Sequence, residues 1–220
     1  MTKQTQTQTN SGIFFIIAAA ILWGTTGTSQ ALAPENANPL SIGAARLAVG
    51  GVCLTIVTFL QGGLRKWTAP FLPVLLGGAF LALYQVSFFS AVKLTGVAAG
   101  TIVAIGSSPI FAGILDVIFQ KKLPGKRWIL STILAVSGCT LLALSSGEVH
   151  INRLGIILAL VAGLSYASVA LCLKVILKKT SAEECTSIVF ITGAIILLPI
   201  LFIYDSGWMI QPRGVMVTIH

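Results

Sequence analysis

Two charged residues lie inside otherwise apolar stretches of the sequence, and they are the first candidates for chemistry. Arg46 follows Pro39 by about two helical turns, and Asp116 is the only acid well inside an apolar run. A charge in such a place is costly unless it meets a partner or a cavity. Arg46 therefore either anchors helix ends or contacts a substrate or gate. Asp116 either forms an ion pair with Lys121, Lys122 or a neighbouring loop, or relays protons.

A set of polar and aromatic residues falls near the middle of several apolar stretches. Hydroxyl, amide and phenol groups at such positions are candidates for a binding site. Two plainer roles stay open, because Ser and Thr can bond their own helix backbone and large rings can fill the space between helices. The members of this set are Trp23, Thr25, Thr26, Tyr84, Gln85, Ser107, Ser108 and Tyr166.

The stretch around Pro109 combines a proline with many small residues. Small faces let helices approach closely, and a proline inside a helix frees one carbonyl, here that of Ile105, and kinks the helix. The pattern predicts either a hinge whose bend changes during function or tight packing with a static kink. The small residues are Gly96, Gly100, Ala104, Gly106 and Gly113.

Motifs of soluble enzymes are missing from the sequence. It has no GxxxxGK[ST], no GxGxxG and no HExxH, and residues 163–167, GLSYA, lack the last glycine of a nucleophile elbow. The four cysteines have no CxxC spacing, which indicates neither a zinc site nor a disulfide framework. We therefore expect neither catalysis nor a metal or other cofactor.

The composition indicates what holds these residues. The chain of 220 residues is 55% hydrophobic and only 9% charged, whereas a soluble domain carries about 25% charged residues. The apolar residues fall into blocks of about twenty, each long enough to cross the roughly 30 Å hydrocarbon layer of a membrane as a helix. After a polar tail at 1–11, predicted to be disordered, seven spans are predicted at residues 12–33, 40–61, 71–92, 96–119, 128–146, 154–177 and 187–204, and an eighth would begin near Gly214.

Basic residues crowd into alternate connecting segments. One set of segments carries ten Lys and Arg, and the other carries three, which are Lys93, Arg153 and Arg213. The positive-inside rule then places the N-terminus in the cytoplasm of a multi-pass protein of the cell (inner) membrane. The net charge of +8 is assigned to contact with anionic lipid headgroups rather than nucleic acid, because no basic stripe with interleaved aromatic residues is present.

Two parts of the sequence correspond when one is shifted by 143 residues. Trp23 then falls on Tyr166, and the turn at Pro39 falls near residues 181–182. Five spans separate the two copies, and because five is odd the second copy runs through the membrane upside down. Inverted repeats of this kind are typical of secondary transporters, whose substrate site lies near the midplane between the halves.

Several segments of the sequence resemble a known family. They are LWGTTG in the first span, PLSIGAAR entering the second, SFFSAVKLTGVAAGTIVAIGSSPIFAGIL across the third and fourth, and WILSTILAVSGCTLLAL in the fifth. From residue 12 to about residue 205 the chain resembles the drug/metabolite transporter superfamily, and within it the ten-helix EamA-like permeases. The resemblance implies an all-α, polytopic transmembrane bundle with an inverted five-helix repeat. It also implies a central cavity lined by helices one, three, four and six, which carry the polar and aromatic set.

The sequence departs from the family pattern in two ways. Members usually have a Glu at the cytoplasmic end of the fourth helix, where residues 119–123 read FQKKL, so the role of that acid is absent or passes to Asp116. A member also has ten helices in two halves. This chain is expected to hold one complete repeat at 12–146 and a truncated second repeat, of two helices and a tail, at 154–220.

The repeat and the resemblance predict a secondary active transporter that exports small metabolites such as amino acids by alternating access. The expected partners are the lipid bilayer and a small-molecule substrate, with a homo-oligomer left open and no nucleic acid. Two alternatives stay open, a non-transporting membrane scaffold and an inactive fragment of such a permease.

Overall fold

The computed structural model describes residues 13–14, 16–64, 68–121, 123–145 and 152–219. The regular secondary structure of these residues is entirely helical. A 3-10 turn, Gly207–Ile210, lies between the last two helices. The helices are α1 (helical at 13–14 and 16–24), α2 (Thr26–Ala31), α3 (Pro39–Leu60), α4 (Phe71–Thr95), α5 (Val97–Gln120), α6 (Lys126–Ser145), α7 (Arg153–Ile176), α8 (Ala182–Ile203) and α9 (Pro212–Ile219).

The helix ends that gather on one side of the bundle define what we call the Pro39 end. Gly155 in the first turn of α7 lies against Thr95, the last residue of α4. Trp208, which follows α8, donates a hydrogen bond to Ser41 in the first turn of α3. This side therefore holds the N-termini of α3 and α7 and the C-termini of α4 and α8.

The opposite side, which we call the Leu60 end, is joined by hydrogen bonds between loops. The backbone N–H of Leu64, after α3, donates to the Glu184 carboxylate at 3.0 Å. The Thr68 hydroxyl, before α4, donates to the Lys179 carbonyl at 2.9 Å. These contacts tie the connection between α3 and α4 to the connection between α7 and α8.

Both α3 and α8 begin at strong N-terminal capping residues. The Asn38 side chain accepts a hydrogen bond from Leu40 N at 2.9 Å, and Pro39 occupies the first helical position. Ser181 forms a capping box with Glu184, in which each side chain accepts from the backbone N–H of the other residue. Caps of this kind satisfy N–H donors that the first helical turn leaves without partners.

The pair α3 and α8 has the geometry that the predicted inverted repeat requires. Each helix has 22 residues, and both bounds of α8 lie 143 residues after those of α3. The two helices run in opposite directions, and the Ser187 hydroxyl bonds that of Thr55 at 3.1 Å across their contact. Of the predicted repeat boundaries, 146 lies outside the described part of the chain and 154 lies in the first turn of α7, and the division into two repeats stays a prediction.

Five of the seven predicted spans coincide with helices that are long and apolar enough to cross a membrane, namely α3, α4, α5, α7 and α8. The predicted fifth span coincides with the 20-residue α6. The first span was expected to run without a strong break, but a turn at Thr25 divides it into α1 and α2. The Thr25 hydroxyl donates to the Leu22 carbonyl at 2.7 Å, a local bond of the kind that competes with regular helix. The predicted tail at 1–11 lies outside the described residues.

Glycines bring the central helices into close contact. A Cβ atom on Gly193 would lie 3.1 Å from the Gly78 carbonyl oxygen and 3.0 Å from the Leu47 side chain. A Cβ atom on Gly51 would lie 3.2 Å from the backbone carbonyl of Phe190. Close backbone approach favours helix association in lipid, where water does not drive apolar faces together.

The segment after α8 folds back onto α3. Trp208 is fully buried, and its indole N–H donates to the Ser41 hydroxyl at 3.0 Å. The helix that was expected near Gly214 is α9, and its Val217 carbonyl accepts a hydrogen bond from Arg46 at 3.0 Å. The segment therefore contacts α3, the helix that carries the half-buried Arg46.

Candidate functional site

Most of the predicted polar and aromatic set meets at one cavity of about 610 Å³, which we call the large cavity. Its volume lies within the range of about 300–1,000 Å³ that is common for small-molecule sites. Side chains from α1, α2, α3, α4, α7 and α8 contribute to it. The lining residues are Ile16, Ala19, Ala20, Trp23, Thr26, Arg46, Leu81, Tyr84, Gln85, Phe88, Phe89, Tyr166 and Phe190.

A small cavity of about 200 Å³ lies beside the large one, between α1, α4, α5 and α7. Trp23, Tyr84 and Tyr166 line both cavities and therefore stand between them. Six of the eight residues in the predicted set line one cavity or both. The other residues of the small cavity come from α5 and are Ala104, Ile105, Ser108 and Pro109.

A continuous series of ring contacts runs through the large cavity. The Tyr166 ring centroid lies 5.1 Å from that of Trp23 and 5.3 Å from that of Tyr84. Tyr84 stacks on Phe88 at 5.5 Å, and Phe88 meets Phe89 edge to face at 5.5 Å. Aromatic pairs contribute about 0.5–1.5 kcal/mol beyond simple burial, so these rings hold one another in place.

The contact between Trp23 and Tyr166 joins equivalent positions of the two repeats. The 143-residue shift lays Trp23 on Tyr166, and their ring centroids are 5.1 Å apart. Equivalent residues of an inverted repeat meet only near the axis that relates the two copies, and substrate sites of such folds lie there. The large cavity therefore lies where the 143-residue shift predicts the contact between the repeats.

Arg46 lies on the wall of the large cavity and is half-buried. Its Nη1 donates to the Val217 carbonyl at 3.0 Å, and its Nη2 lies 3.5 Å from the Thr26 hydroxyl. Its Cζ atom is 5.8 Å from the centroid of the Phe89 ring, within reach of a cation–π interaction. The bond to α9 fits the anchoring role expected from the sequence, and the position on the cavity wall fits the substrate or gating role.

Two members of the predicted set line neither cavity. Thr25 is exposed at the turn between α1 and α2, where its hydroxyl bonds the Leu22 carbonyl. Ser107 lies at the crossing of α5 and α7 against Gly163, and it donates to the Ala104 carbonyl at 3.2 Å. Each hydroxyl is bound to a carbonyl three residues earlier, which is the plainer role that the sequence left open.

Asp116 lies away from both cavities, toward the Leu60 end of α5. Both of its carboxylate oxygens lie 2.8 Å from the ammonium group of Lys174 on α7, and the Gln120 side chain donates to it at 2.7 Å. The sequence offered Lys121, Lys122 or a neighbouring loop as the ion partner, and residues five or six apart do not share a helix face, whereas those three or four apart do. Packing of α5 against α7 supplies the cation instead, and the geometry favours a structural ion pair over a proton relay.

Pro109 lies inside α5 and lines the small cavity together with Ile105 and Ser108. Proline has no N–H, so the Ile105 carbonyl lacks its usual helical partner. One turn further, Gly113 leaves room for the Trp128 ring of α6. Both the hinge and the static kink predicted from the sequence fit this placement.

Several residues of the site gave no usable signal in the sequence. Phe88, Phe89 and Phe190 line the large cavity, but a phenylalanine in an apolar span looks the same whether it faces a cavity or lipid. Trp208 was missed because it follows the last predicted span. The available signal was the position of a large aromatic residue in a polar segment. Because exposure of such a ring is unfavourable, that position indicates that the segment folds back to bury it.

The described part of the chain shows no group of three or more His, Cys, Asp or Glu side chains arranged as a metal site requires. The four cysteines are free thiols, and Cys185 is the buried one. The chemistry of the site therefore rests on hydrogen bonds, ring contacts and the charge of Arg46.

Known proteins share both the sequence pattern and the fold. A family model described as the EamA-like transporter family matches residues 10–144 and 153–218. The chain belongs to the EamA-like transporter family. The uncharacterized transporter YwfM of Bacillus subtilis (strain 168) is 42% identical over 208 residues, which are 94% of this chain and 70% of that protein.

A solved structure shares the fold of this chain at low sequence identity. It is described only as a crystal structure of a protein, and it matches with a TM-score of 0.69 at 20% identity, covering 92% of this chain and 71% of that one. Family and fold class are thus confirmed as the sequence predicted them. This EamA-like chain is a multi-pass helical membrane protein of a transporter family.

Proposed function

We propose that this EamA-like protein is a secondary active transporter that exports small metabolites, such as amino acids, by alternating access. The observation that carries the proposal is the large cavity, which contains the contact between the equivalent residues Trp23 and Tyr166. A substrate bound between two inverted repeats reaches either side of the membrane when one repeat rocks against the other. Membership of a transporter family argues against catalysis.

The charge distribution supports an orientation with the Leu60 end in the cytoplasm. Basic residues favour cytoplasmic loops, and the Pro39 end carries only Lys93, Arg153 and Arg213 among the described residues. We therefore propose a cytoplasmic N-terminus and a location in the cell (inner) membrane. The described basic residues at or near the Leu60 end are Lys121, Lys126, Arg127, Lys174, Lys178 and Lys179.

Two discontinuities beside the cavities are suited to the movement that transport needs. The turn at Thr25 separates α1 from α2 next to the large cavity, and Pro109 interrupts the hydrogen bonding of α5 beside the small one. Motions between states are usually absorbed at a few such positions. We propose that these two positions bend as the cavity changes the side to which it opens.

A membrane scaffold without transport activity is the second candidate. The observation in its favour is the incomplete wall at α1, where Trp23 is 38% exposed although it lines both cavities. A further helix, lipid or a second copy of the chain would complete that wall. The lipid bilayer and a small-molecule substrate are the partners proposed for the transporter, and a homo-oligomer is the arrangement proposed for the scaffold.

Flux in reconstituted vesicles tests the proposal. The purified protein is placed in proteoliposomes loaded with radiolabelled amino acids and related metabolites. The initial rate of efflux is compared with that of equally loaded vesicles that lack the protein. We expect efflux of at least one substrate, reduced by Trp23→Ala and unaffected by Tyr204→Ala, because Tyr204 is an exposed aromatic residue beyond α8. Absence of flux across a broad panel would contradict the transporter and favour the scaffold.

A further inference from the structure

The charge on Arg46 has no acidic partner in the described part of the chain. The one salt bridge found there joins Lys174 to Asp116. The groups that contact the guanidinium are neutral, namely the Val217 carbonyl, the Thr26 hydroxyl and the Phe89 ring. A cation inside an apolar span is costly unless an opposite charge compensates it. The wall of the large cavity therefore carries an uncompensated positive charge.

The guanidinium retains donors for another ligand. It has five N–H donors in a planar fork, and hydrogen bonds to Val217 and Thr26 account for two of them. Because Arg46 lines the large cavity, the remaining donors are within reach of a bound molecule. A planar fork of this kind matches the two oxygens of a carboxylate better than it matches any neutral acceptor.

The rings of the cavity begin beside that charge. Phe89 lies 5.8 Å from the Arg46 Cζ atom, and contacts at 5.3–5.5 Å continue through Phe88 and Tyr84 to Tyr166. A molecule whose charged group meets Arg46 would lay its body along these rings. Flat apolar groups gain most from such surroundings, since offset or edge-to-face ring contacts are favourable.

The described lining of the same cavity offers no negative charge to an ammonium group. None of the 13 described residues that line it is Asp or Glu. An ammonium group there would lose water, would find ring faces and neutral acceptors such as the Gln85 amide but no opposite charge, and would share the cavity with the positive Arg46. Both effects weaken binding of a cation or a zwitterion.

We infer that the large cavity binds organic monoanions, molecules with one carboxylate on a flat apolar body and no ammonium group, and that Arg46 is the residue that receives the carboxylate. The inference rests on the proposed transport function, because it identifies the bound anion as the substrate. It narrows the small metabolites proposed above to organic acids and disfavours amino acids.

A matched set of indole compounds tests the charge preference. Indole-3-propionate, tryptophan and tryptamine share one ring system and carry, in turn, a carboxylate, both charged groups and an ammonium group. Their equilibrium binding to the purified full chain in detergent is measured by titration calorimetry. We expect indole-3-propionate to bind about tenfold or more tightly than tryptophan, as a charge-assisted hydrogen bond implies, and tryptamine to bind least.

Substitutions at Arg46 assign the preference to that residue. Arg46→Gln removes the charge but keeps an N–H donor for the Val217 carbonyl, and it should lower the affinity for indole-3-propionate about tenfold or more while leaving tryptamine binding unchanged or stronger. Arg153→Gln removes the same charge at an exposed position in the first turn of α7, and it should change nothing. Arg46→Lys keeps the charge and should retain part of the affinity, which covers the case in which Arg46→Gln does not fold.

The outcomes separate this inference from the proposed function. Three results would overturn the inference, even if the vesicles transport another metabolite. The first is that indole-3-propionate fails to bind at millimolar concentration, and the second is that tryptophan binds equally well. The third result is full affinity for indole-3-propionate in Arg46→Gln, or in every Arg46 variant that folds. Arg46-dependent binding of the anion without any flux overturns transport instead, and it leaves an anion-binding membrane protein.

Discussion

Three aromatic side chains organise the centre of the molecule. Trp23, Tyr84 and Tyr166 come from three helices and line both cavities, and the Tyr166 ring contacts the other two. Each ring is fixed by its neighbours rather than by its own helix. Replacing one of them therefore alters the shape of both cavities, whereas removing a single hydroxyl alters only polarity.

Tyr166 separates these two effects. Tyr166→Ala removes a ring that lies 5.1 Å from Trp23 and 5.3 Å from Tyr84, and we expect initial flux to fall about tenfold because the substrate loses both contact and orientation. Tyr166→Phe keeps the ring contacts and should retain most of the flux. A Tyr166→Ala variant with unchanged flux would show that the rings do not shape the transport site.

Trp208 has a structural role that can be measured as stability. Its side chain is fully buried and its indole N–H bonds the Ser41 hydroxyl. Trp208→Ala should lower the free energy of unfolding by about 3–5 kcal/mol, and Trp208→Phe by about 1 kcal/mol through the lost hydrogen bond. Thermal unfolding in detergent measures both, and Phe202→Ala at an 82% exposed ring is the control.

Asp116 should contribute little to transport. Its carboxylate pairs with Lys174 outside both cavities, and the two side chains are 33% and 53% exposed. Asp116→Asn should therefore keep the flux and change stability by no more than about 1 kcal/mol, as exposed ion pairs do. Loss of proton-dependent flux in Asp116→Asn, with the protein still folded, would restore the proton-relay interpretation.

The crossing of α5 and α7 depends on the absence of a side chain. A Cβ atom on Gly163 would lie 2.7 Å from the Ala104 carbonyl oxygen and would also collide with the Ser107 hydroxyl. Backbone atoms cannot yield as a flexible side chain can. The two helices that carry Pro109 and Tyr166 are therefore held at a spacing that only glycine permits.

Gly163→Ala should force α5 and α7 apart. We expect a loss of about 1–3 kcal/mol in stability, the usual cost of overpacking, together with reduced flux because the small cavity lies between these helices. Gly138→Ala on α6 is the control, since its Cβ would meet nothing within 4 Å. Equal thermal stability of the two variants would mean that the crossing adjusts without cost.

The whole molecule is arranged around an inverted pair of helices. α3 and α8 have equal length, are separated by 143 residues and run in opposite directions, and the equivalent rings of Trp23 and Tyr166 meet beside them. This is the arrangement that the predicted inverted repeats require. Loop contacts at the Leu60 end, such as Leu64 with Glu184, join them outside the cavity.

Labelling of single cysteines tests the orientation proposed for the bundle. In a variant without the four native cysteines, Glu35→Cys near the Pro39 end should react with a membrane-impermeant maleimide on intact cells. Lys126→Cys near the Leu60 end should react only after the cells are permeabilised. Both positions are exposed in the structure. The reverse labelling pattern would invert the topology inferred from the basic residues.

Much of the fold is predictable from the sequence because lipid imposes simple rules. A span must be long, apolar and internally hydrogen-bonded, so α3, α4, α5, α7 and α8 follow from blocks of apolar residues. The turn at Thr25 does not follow, because a hydroxyl in a span bonds its own backbone with or without a break. The cavity residues are predictable only in part. A polar residue such as Gln85 stands out in an apolar span, but the sequence does not tell whether Phe89 faces the cavity or the lipid.

The sequence alone was sufficient to predict the order of the helices, the membrane-spanning class and the equivalence of Trp23 with Tyr166. These three features depend on local or periodic patterns of residues. The partners of Arg46 and Asp116, in contrast, were decided only by the tertiary structure. Val217 lies 171 positions from Arg46, and Lys174 lies 58 from Asp116, so no pattern of spacing connects them. Such contacts arise when helices pack, because packing brings side chains together according to helix faces and crossing positions rather than distance along the chain.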